Sequence, residues 1–357
     1  MKYLHIMKNE KFIAPFIKLV NAHFDPHEHL FIVLGGISLE KHPLPEAENV
    51  IVLKQSLTRK HNYFALAREL RPYFDRADKV FLHSLIVRHI IDFLFFNLRY
   101  TAKSHWIIWG GDLYDYLSKK DKLSRKFFMY KKKKVISCLG GIIQFNRGEY
   151  ELAREWYGAK GTFYDCIFYP LYKPMKLPEK MERTVYIQMG NSATASNHHI
   201  EAFEQLKPYA AEDIKIYCPL SYGNNKTYRK KVIETGEALF GDKFVPLVDF
   251  MPFDAYMDLL SKIDIAIFNH RRQQALGNIV ALLGYGKKVY LRSDITTWQM
   301  LKDKGIHAFD IADFSLEPLD QETKTTNAQQ IEAHFSDAAC ITQWKNVLKA
   351  PLNDSRH

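Results

Sequence analysis

Short apolar runs alternate with helix-patterned segments, stop at a proline-rich stretch and then resume. That rhythm constrains the chain more than any other feature. In the first half, Tyr3–Met7, Leu30–Leu34, Val50–Leu53, Val80–His83, His105–Trp109 and Ile142–Phe145 read as strands. Helical patterns lie around Phe12–Phe24, Asn62–Phe74, Leu85–Tyr100 and Asp112–Tyr130. The alternation predicts a parallel sheet covered on both faces, because parallel neighbours need long crossovers and helices supply them.

The interruption is Tyr169–Arg183 (YPLYKPMKLPEKMER), where Pro170, Pro174 and Pro178 and the lack of periodicity mark a linker. Beyond it Val185–Met189, Ile214–Cys218, Phe244–Leu247, Ile263–Phe268 and Lys288–Leu291 read as strands. Helices are expected near Asn197–Leu206, Lys226–Phe240, Asp254–Ser261, Gly277–Tyr285 and Thr297–Lys302, with one more over Ala328–Leu348. The division expected is a Rossmann-like domain over residues 1–172, a linker over 173–183 and a second such domain over 184–335. The tail, 336–357, would fold back on the first domain. Two doubly wound domains in succession make an α/β protein of two lobes facing each other across a cleft, with ligands at the carboxyl ends of the strands.

A length of 357 residues suits two domains. The net charge of +10 suggests an anionic partner: nucleic acid, a membrane surface or a phosphorylated ligand. Cys138, Cys166, Cys218 and Cys340 lie far apart without a CxxC pair, which points to reduced thiols and no structural zinc. Met1–Met7 reads as a first strand and not as a secretory signal. The most apolar stretch, Phe81–Leu98, carries Arg88, His89 and Asp92, which suits a buried helix better than a membrane span. No GxGxxG with a following acid, no Walker loop and no HExxH occurs, and the Gly35-Gly36 and Gly284–Gly286 turns lack the required spacing. A dinucleotide oxidoreductase and a nucleotide hydrolase are disfavoured.

Three strand-end loops in the second half carry chemistry. The strand Val185–Met189 runs into Gly190–His199 (GNSATASNHH), whose small residues and hydroxyls leave backbone N–H groups free to face an anion. Ser196 or Asn197 can alternatively cap the following helix. The next strand ends in Cys218–Asn225 (CPLSYGNN), where Tyr222 is able to stack on a base or sugar and a simple turn is the plainer reading. The third loop, His270–Asn278, sets Arg271 and Arg272 beside a helix start whose Gly277 lets a ligand approach the backbone. A solvated surface turn is the other reading of its RRQQ. Together the three loops form a polar rim suited to a nucleotide sugar.

The segments IIWGGDLY, GNSATASNHHIEAF, CPLSYGNN, FDAYMDLLSKIDIAIF and RRQQALGN, in that order over roughly residues 100–300, resemble a known family. It is the bacterial TDP-4-acetamido-4,6-dideoxy-D-galactose (TDP-Fuc4NAc):lipid II transferases of enterobacterial common antigen synthesis, which are 4-alpha-L-fucosyltransferase-like and form glycosyltransferase family 56. The resemblance implies a GT-B fold and transfer of a deoxyamino sugar from a TDP-sugar to an undecaprenyl-diphosphate-linked disaccharide. The reaction would occur at the cytoplasmic face of the inner membrane. It implies that Asn191, Ser192 and Ser196 meet the donor diphosphate or sugar, that Pro219 and Tyr222 line the nucleoside side, and that Gln274, Gly277 and Asn278 hold diphosphate or sugar. Arg271 would add positive charge. Ala193 stands where the family motif has glycine, and two arginines stand where it has one. No cofactor and no essential metal are implied, since GT-B enzymes generally neutralise diphosphate with helix ends and basic side chains.

IIWGGDLYDYL (residues 107–117) lies on the acceptor side of this scheme. Asp112 reads as an N-cap on a tight turn, with Trp109 and Tyr114 as packing residues. It also reads as a group at the cleft that orients or deprotonates the acceptor hydroxyl, with Trp109 or Tyr114 as a stacking wall. The two readings are compatible. A phosphate cradle is disfavoured, because the carboxylate would repel it. His83, at a strand end, is a second candidate base, with a core histidine as the commoner explanation, and Glu149 is a third.

Lys119–Lys134 holds nine Lys or Arg against one Asp, with Phe127, Phe128, Met129 and Tyr130 embedded. A solvated face explains such a run; so does an anionic membrane surface that brings the lipid-linked acceptor. No recognition motif supports nucleic acid as a partner. The alternatives to the TDP-sugar transferase are a related GT-B transferase for capsule or lipopolysaccharide with another nucleotide sugar, a non-catalytic nucleotide-binding membrane scaffold, and an RNA-binding protein.

Overall fold

The computed structural model describes residues 1–34, 42–54, 56, 62–118, 122–178, 183–223 and 225–352. The Gly35-Gly36 turn, Asn224, part of the linker and the first three positions of the basic run lie outside the described residues. The chain divides into two compact units. Residues 1–169 with 340–357 form one, and residues 170–339 form the other.

The first unit runs β1 (Tyr3–Lys8), α1 (Ile13–His23), β2 (His29–Leu34), β3 (Val50–Leu53), α2 (Tyr63–Arg76), β4 (Lys79–His83), α3 (Arg88–Phe96) and β5 (Ser104–Ile107). It continues through α4 (Gly111–Tyr114), α5 (Leu123–Ser137), β6 (Gly141–Ile143), α6 (Arg147–Tyr157) and β7 (Thr162–Tyr164). The second unit runs β8 (Val185–Met189), α7 (His199–Leu206), β9 (Ile214–Pro219), α8 (Lys226–Phe240), β10 (Phe244–Leu247), α9 (Phe253–Lys262) and β11 (Ile265–Phe268). It ends with α10 (Leu276–Gly284), β12 (Lys288–Leu291), α11 (Thr296–Asp303), β13 (Phe309–Asp310) and α12 (Gln321–Phe335). The last helix, α13 (Asp337–Lys349), lies mostly in the first unit.

Both sheets are wholly parallel. Their strand orders are β3-β2-β1-β4-β5-β6-β7 and β10-β9-β8-β11-β12-β13. In each, the order reverses once, between β1 and β4 and between β8 and β11, and the crevice at such a reversal is where ligands of doubly wound sheets bind. The central strands are buried on both faces, so residues 30–34 of β2 and 80–82 of β4 read as unbroken apolar runs instead of alternating ones. Amphipathic helices cover them; Ile13, Phe16, Ile17 and Val20 of α1 recur at the spacing of one buried stripe.

Several expected boundaries move. Phe81–Leu98 splits into the end of β4, a loop and α3, and among the described residues no helix is long and apolar enough to cross a membrane. Ala328–Leu348 is not one helix. It breaks at Ser336, which is extended (ψ 171°) and accepts a hydrogen bond from Ala339 N at 3.2 Å, so α13 starts afresh. The start of the proline-rich segment is anchored: Leu171 N and Tyr172 N both donate to Phe335 O, and the Tyr172 hydroxyl donates to Gly284 O at 3.1 Å.

In the first unit, Lys79 is buried, and its Nζ donates to Val347 O (2.9 Å), Leu348 O (2.8 Å) and Ala350 O (2.5 Å). The ammonium meets the unpaired carbonyls at the carboxyl end of α13, where a cation also suits the helix dipole. Trp344 of the same helix packs on Phe16 and Phe81.

Candidate functional site

The second unit gathers polar side chains at the carboxyl ends of β8, β9 and β11. After β8 the chain turns at Gly190 (φ +67°), where a Cβ would lie 2.5 Å from His199 Nε2 and 2.8 Å from Asn197 Oδ1. Only glycine combines that backbone with that lack of room. The loop then folds around buried Asn197. Its Oδ1 accepts from Asn191 N at 3.0 Å and lies 2.8 Å from His270 Nε2. Its Nδ2 donates to Ser192 Oγ at 3.1 Å and Thr194 Oγ1 at 2.9 Å. Burial pushes His270 down to about 3, helped by His199 and Arg272, so the imidazole is neutral and its Nε2–H donates to the amide oxygen.

A ring of hydrogen bonds sits above this knot. Ser196 Oγ donates to Gln274 Oε1 at 2.7 Å, and Gln274 Nε2 donates to Asn191 Oδ1 at 3.2 Å and Thr194 Oγ1 at 3.4 Å. Thr194 Oγ1 lies 3.1 Å from Ser196 Oγ and 3.0 Å from Ser192 Oγ. The loops after β8 and β11 therefore meet at the point where the strand order reverses. The loop after β9 joins them through its backbone: Ala193 N donates to Tyr222 O at 2.6 Å, and the Tyr222 ring is 74% exposed. Gly277, in the first turn of α10, has open space where a Cβ would stand, and Asn278 Nδ2 donates to Tyr256 OH at 2.9 Å. Burial holds the Tyr256 phenol up at about 12.

The structure differs from the sequence reading at four positions here. Neither Ser196 nor Asn197 caps α7; left-handed His198 occupies the cap position, and the Asn197 side chain holds the loop together. Pro219 is a buried member of β9 and not a loop residue. Arg271 is drawn into a salt bridge with Glu201 (3.1 Å), which also takes Arg292 (3.2 Å), so the positive charge at this loop is partly spent internally. Asn197 reads from sequence only as a possible cap, and Thr194, His270 and Tyr256 are functional residues that the sequence reading does not single out.

In the first unit, the turn after β5 does not use Asp112 as a cap. Gly110 (φ +87°) occupies that position. Asp112 is fully buried and accepts from Leu85 N (2.9 Å), Trp106 Nε1 (2.6 Å) and Trp109 N (3.0 Å). It thereby ties the loop after β4 to the loop after β5. A carboxylate with three donors and no exposure is suited to positioning backbone. His83 is equally enclosed: its Nε2 lies 3.2 Å from His5 Nδ1, and His5 Nε2 lies 3.0 Å from His29 Nδ1. Burial pushes His83 down to about 3, so its imidazole is neutral near neutral pH. Glu149 is buried in the first turn of α6 and accepts from the Tyr114 hydroxyl at 2.6 Å. Trp109 stacks on Phe168 (5.7 Å between centroids, 8° between planes) and packs on Phe12. Its indole Nε1 is buried without a hydrogen-bond partner among the described residues.

The basic run is less cationic than its composition suggests. Lys132 is buried, donates to Asp112 O at 2.5 Å and lies 4.9 Å from the Tyr157 ring centroid. Arg125 clamps Asp115 at 2.9 and 3.0 Å, and Lys131 pairs with Asp92.

A family model described as 4-alpha-L-fucosyltransferase glycosyl transferase group 56 matches residues 18–351. Among solved structures, a glycosyltransferase from Rickettsia africae ESF-5 is similar at 13% identity and a TM-score of 0.67, over 99% of this chain and 100% of that one. Anabaena Alr3699/HepE in complex with UDP and glucose is similar at 12% identity and a TM-score of 0.65, over 98% and 100%. A sucrose-phosphate synthase from Thermosynechococcus elongatus is similar at 9% identity and a TM-score of 0.65, over 97% and 98%. At such identities the likeness concerns the fold, which is GT-B.

Proposed function

This chain belongs to the 4-alpha-L-fucosyltransferase glycosyl transferase group 56 family, and from that membership we propose which sugar it moves and to what. It is a glycosyltransferase. Our reading is that it transfers a 4-acetamido-4,6-dideoxygalactose residue from a TDP-sugar to an undecaprenyl-diphosphate-linked disaccharide, in synthesis of a polysaccharide like enterobacterial common antigen. The protein would work as a peripheral protein on the cytoplasmic face of the bacterial inner membrane, meeting its anionic surface through the basic run.

The observation that carries the donor assignment is the ring that Ser196, Gln274, Asn191 and Thr194 close across the strand reversal. Without ligand these groups satisfy one another. A diphosphate entering the ring exchanges neutral hydrogen bonds for charge-assisted ones, which are roughly twice as strong. Ser192 and Ser196 hydroxyls and the Asn191 and Gln274 amides supply donors, and open Gly277 lets a phosphate approach the start of α10. Asn278, held by Tyr256, faces diphosphate or sugar. Exposed Tyr222 offers a stacking surface for the thymine, and Pro219 sets the strand end that carries it. Arg271 acts from its Glu201 bridge as a source of positive potential.

On the acceptor side, Trp109 contributes a stacking face, and Tyr114 and Glu149 act as a joined pair. Asp112 and His83 act as positioning residues, by holding the loops after β4 and β5.

Thermal stabilisation by TDP, UDP, GDP, CDP and ADP tests the donor. Selective stabilisation by TDP is expected. A preference for UDP or GDP would move the donor to another nucleotide sugar, and no response to any nucleotide would overturn the donor site altogether.

A further inference from the structure

We propose that the first unit carries a bilayer-inserting face, built from α2, α3 and α5, and that it enters an anionic lipid surface by its aromatic side chains more than by its lysines. The inference deepens the membrane part of the proposed function and rests on it for its biological setting. Its test needs neither nucleotide nor acceptor.

The observation lies in how α5 is turned. Phe128, Lys132, Val135 and Ile136 form its buried stripe. Leu123, Phe127 and Tyr130 are spaced by four and three residues, so they fall on a second stripe on the opposite side of the helix. All three are open to solvent, at 83%, 56% and 60%. An amphipathic surface helix normally turns its polar residues outward; α5 turns an apolar row outward with Lys126, Lys133 and Lys134 exposed along it.

The row continues onto neighbouring helices. Tyr130 meets Phe95 of α3 at 6.1 Å, Phe95 meets Phe96 at 5.4 Å, Phe96 meets Tyr63 of α2 at 5.7 Å, and Tyr63 meets Phe64 at 5.3 Å. Phe96 is 63% exposed and Phe64 is 83% exposed. A connected apolar surface of this kind marks an interaction site.

Charge selects the occupant. Arg68 and Arg71 follow Phe64 at one and two turns of α2, and all are exposed. Arg71 and Arg99 line one shallow depression with Phe96 and Leu98. Of the nearby acids, Asp92 pairs with Lys131 and Asp75 with Arg99. Aromatic residues inside a rim of cations match the boundary between acyl chains and anionic headgroups, where rings sit at the interface and long cationic stems reach back to phosphate.

The experiment is sedimentation of the full chain with vesicles of phosphatidylethanolamine and phosphatidylglycerol, at low salt and at about 0.5 M NaCl, where surface charge is screened within a few ångströms. Wild-type protein is expected to bind at low salt and to keep a substantial bound fraction at high salt. The triple variant Phe96→Ser, Phe127→Ser, Tyr130→Ser is expected to lose about tenfold in partitioning at both, with an unchanged melting temperature, since these side chains are already exposed. A Phe127→Trp variant is expected to be quenched by brominated-lipid vesicles beyond the wild-type level, which reads insertion without removing apolar surface. Binding that salt abolishes and the triple variant retains would overturn the proposal in favour of simple charge attraction. So would the absence of any vesicle binding, or a wild-type dimer that the triple variant converts to monomer.

Discussion

Asn197 Oδ1 lies 2.8 Å from His270 Nε2, and through that contact the loop after β8 is fastened to the loop after β11 beneath the polar ring. The same amide holds Asn191 N, Ser192 and Thr194, so one buried side chain sets the position of three rim residues.

Asn197→Ala is therefore expected to destabilise the second unit by about 2–4 kcal/mol, because it strands several buried donors and acceptors at once. Donor nucleotide affinity should fall by at least about tenfold under conditions where the variant remains folded. Chemical denaturation and nucleotide titration read the two effects separately. An unchanged denaturation midpoint would contradict the role assigned to this residue.

Asp112→Asn separates positioning from base catalysis. The substitution replaces one carboxylate oxygen by an amide nitrogen, which opposes either Trp109 N or the pair Leu85 N and Trp106 Nε1. We expect a stability loss of about 2–4 kcal/mol, with the folded fraction retaining most of its turnover. The reverse pattern, a stable protein whose kcat has dropped about a thousandfold, would restore Asp112 as a base.

Acid should weaken this protein earlier than most. Burial pushes His83, His199 and His270 down to about 3 and His29 and His105 down to about 4. Above pH ~6.5 these imidazoles are neutral both folded and unfolded, and they add no pH dependence. Below it the unfolded chain takes up protons that the folded chain refuses. Each histidine then subtracts up to about 1.4 kcal/mol per pH unit down to its folded value. A melting temperature that falls continuously from pH 7 to pH 4.5 is expected, and a flat profile across that range would refute the burial of neutral histidines.

Two glycines in the donor loops should respond oppositely to the same change. Gly190→Ala forces a Cβ to 2.5 Å from His199 Nε2 at φ +67°, and should cost at least about 2 kcal/mol of stability. Gly277→Ala meets nothing within 4 Å and should leave the melting temperature unchanged. If phosphate approaches the start of α10, it weakens nucleotide binding alone. Unaltered nucleotide affinity in Gly277→Ala would remove that approach from the donor site.

The strand and helix rhythm was legible because most strands carry a short, largely apolar run and the covering helices carry apolar stripes. It failed where those signals are weak. The helix Arg147–Tyr157 was missed; its buried side consists of little beyond Glu149, Ala153 and Tyr157. The short edge strand Thr162–Tyr164 is only half-buried. The loops bearing Asn191, Ser196 and Gln274 were visible as polar strand ends. Their mutual bonds were not, since Gln274 lies 78 residues from Ser196. Asp112 shows the same limit: a carboxylate after two glycines looks like a local cap, whereas one of its three donors, Leu85 N, lies 27 residues upstream. The charge run misled in a further way, because composition does not say that Lys132 points inward while Phe127 points out.

The contact between Lys79 and the end of α13 has a consequence for biosynthesis. The carbonyls that Lys79 requires follow it by 268 and 269 residues, so they and Trp344 leave the ribosome long after the sheet they complete. The first unit has to wait, with Phe16, Phe81 and an unsatisfied ammonium uncovered, while the whole of the second unit is translated. The second unit, uninterrupted in sequence from residue 170 to residue 339, is free to fold on emergence. Nascent chains stalled just before α13 should thus hold a protease-resistant second half and a susceptible first half, a reversal of the usual amino-terminal-first order.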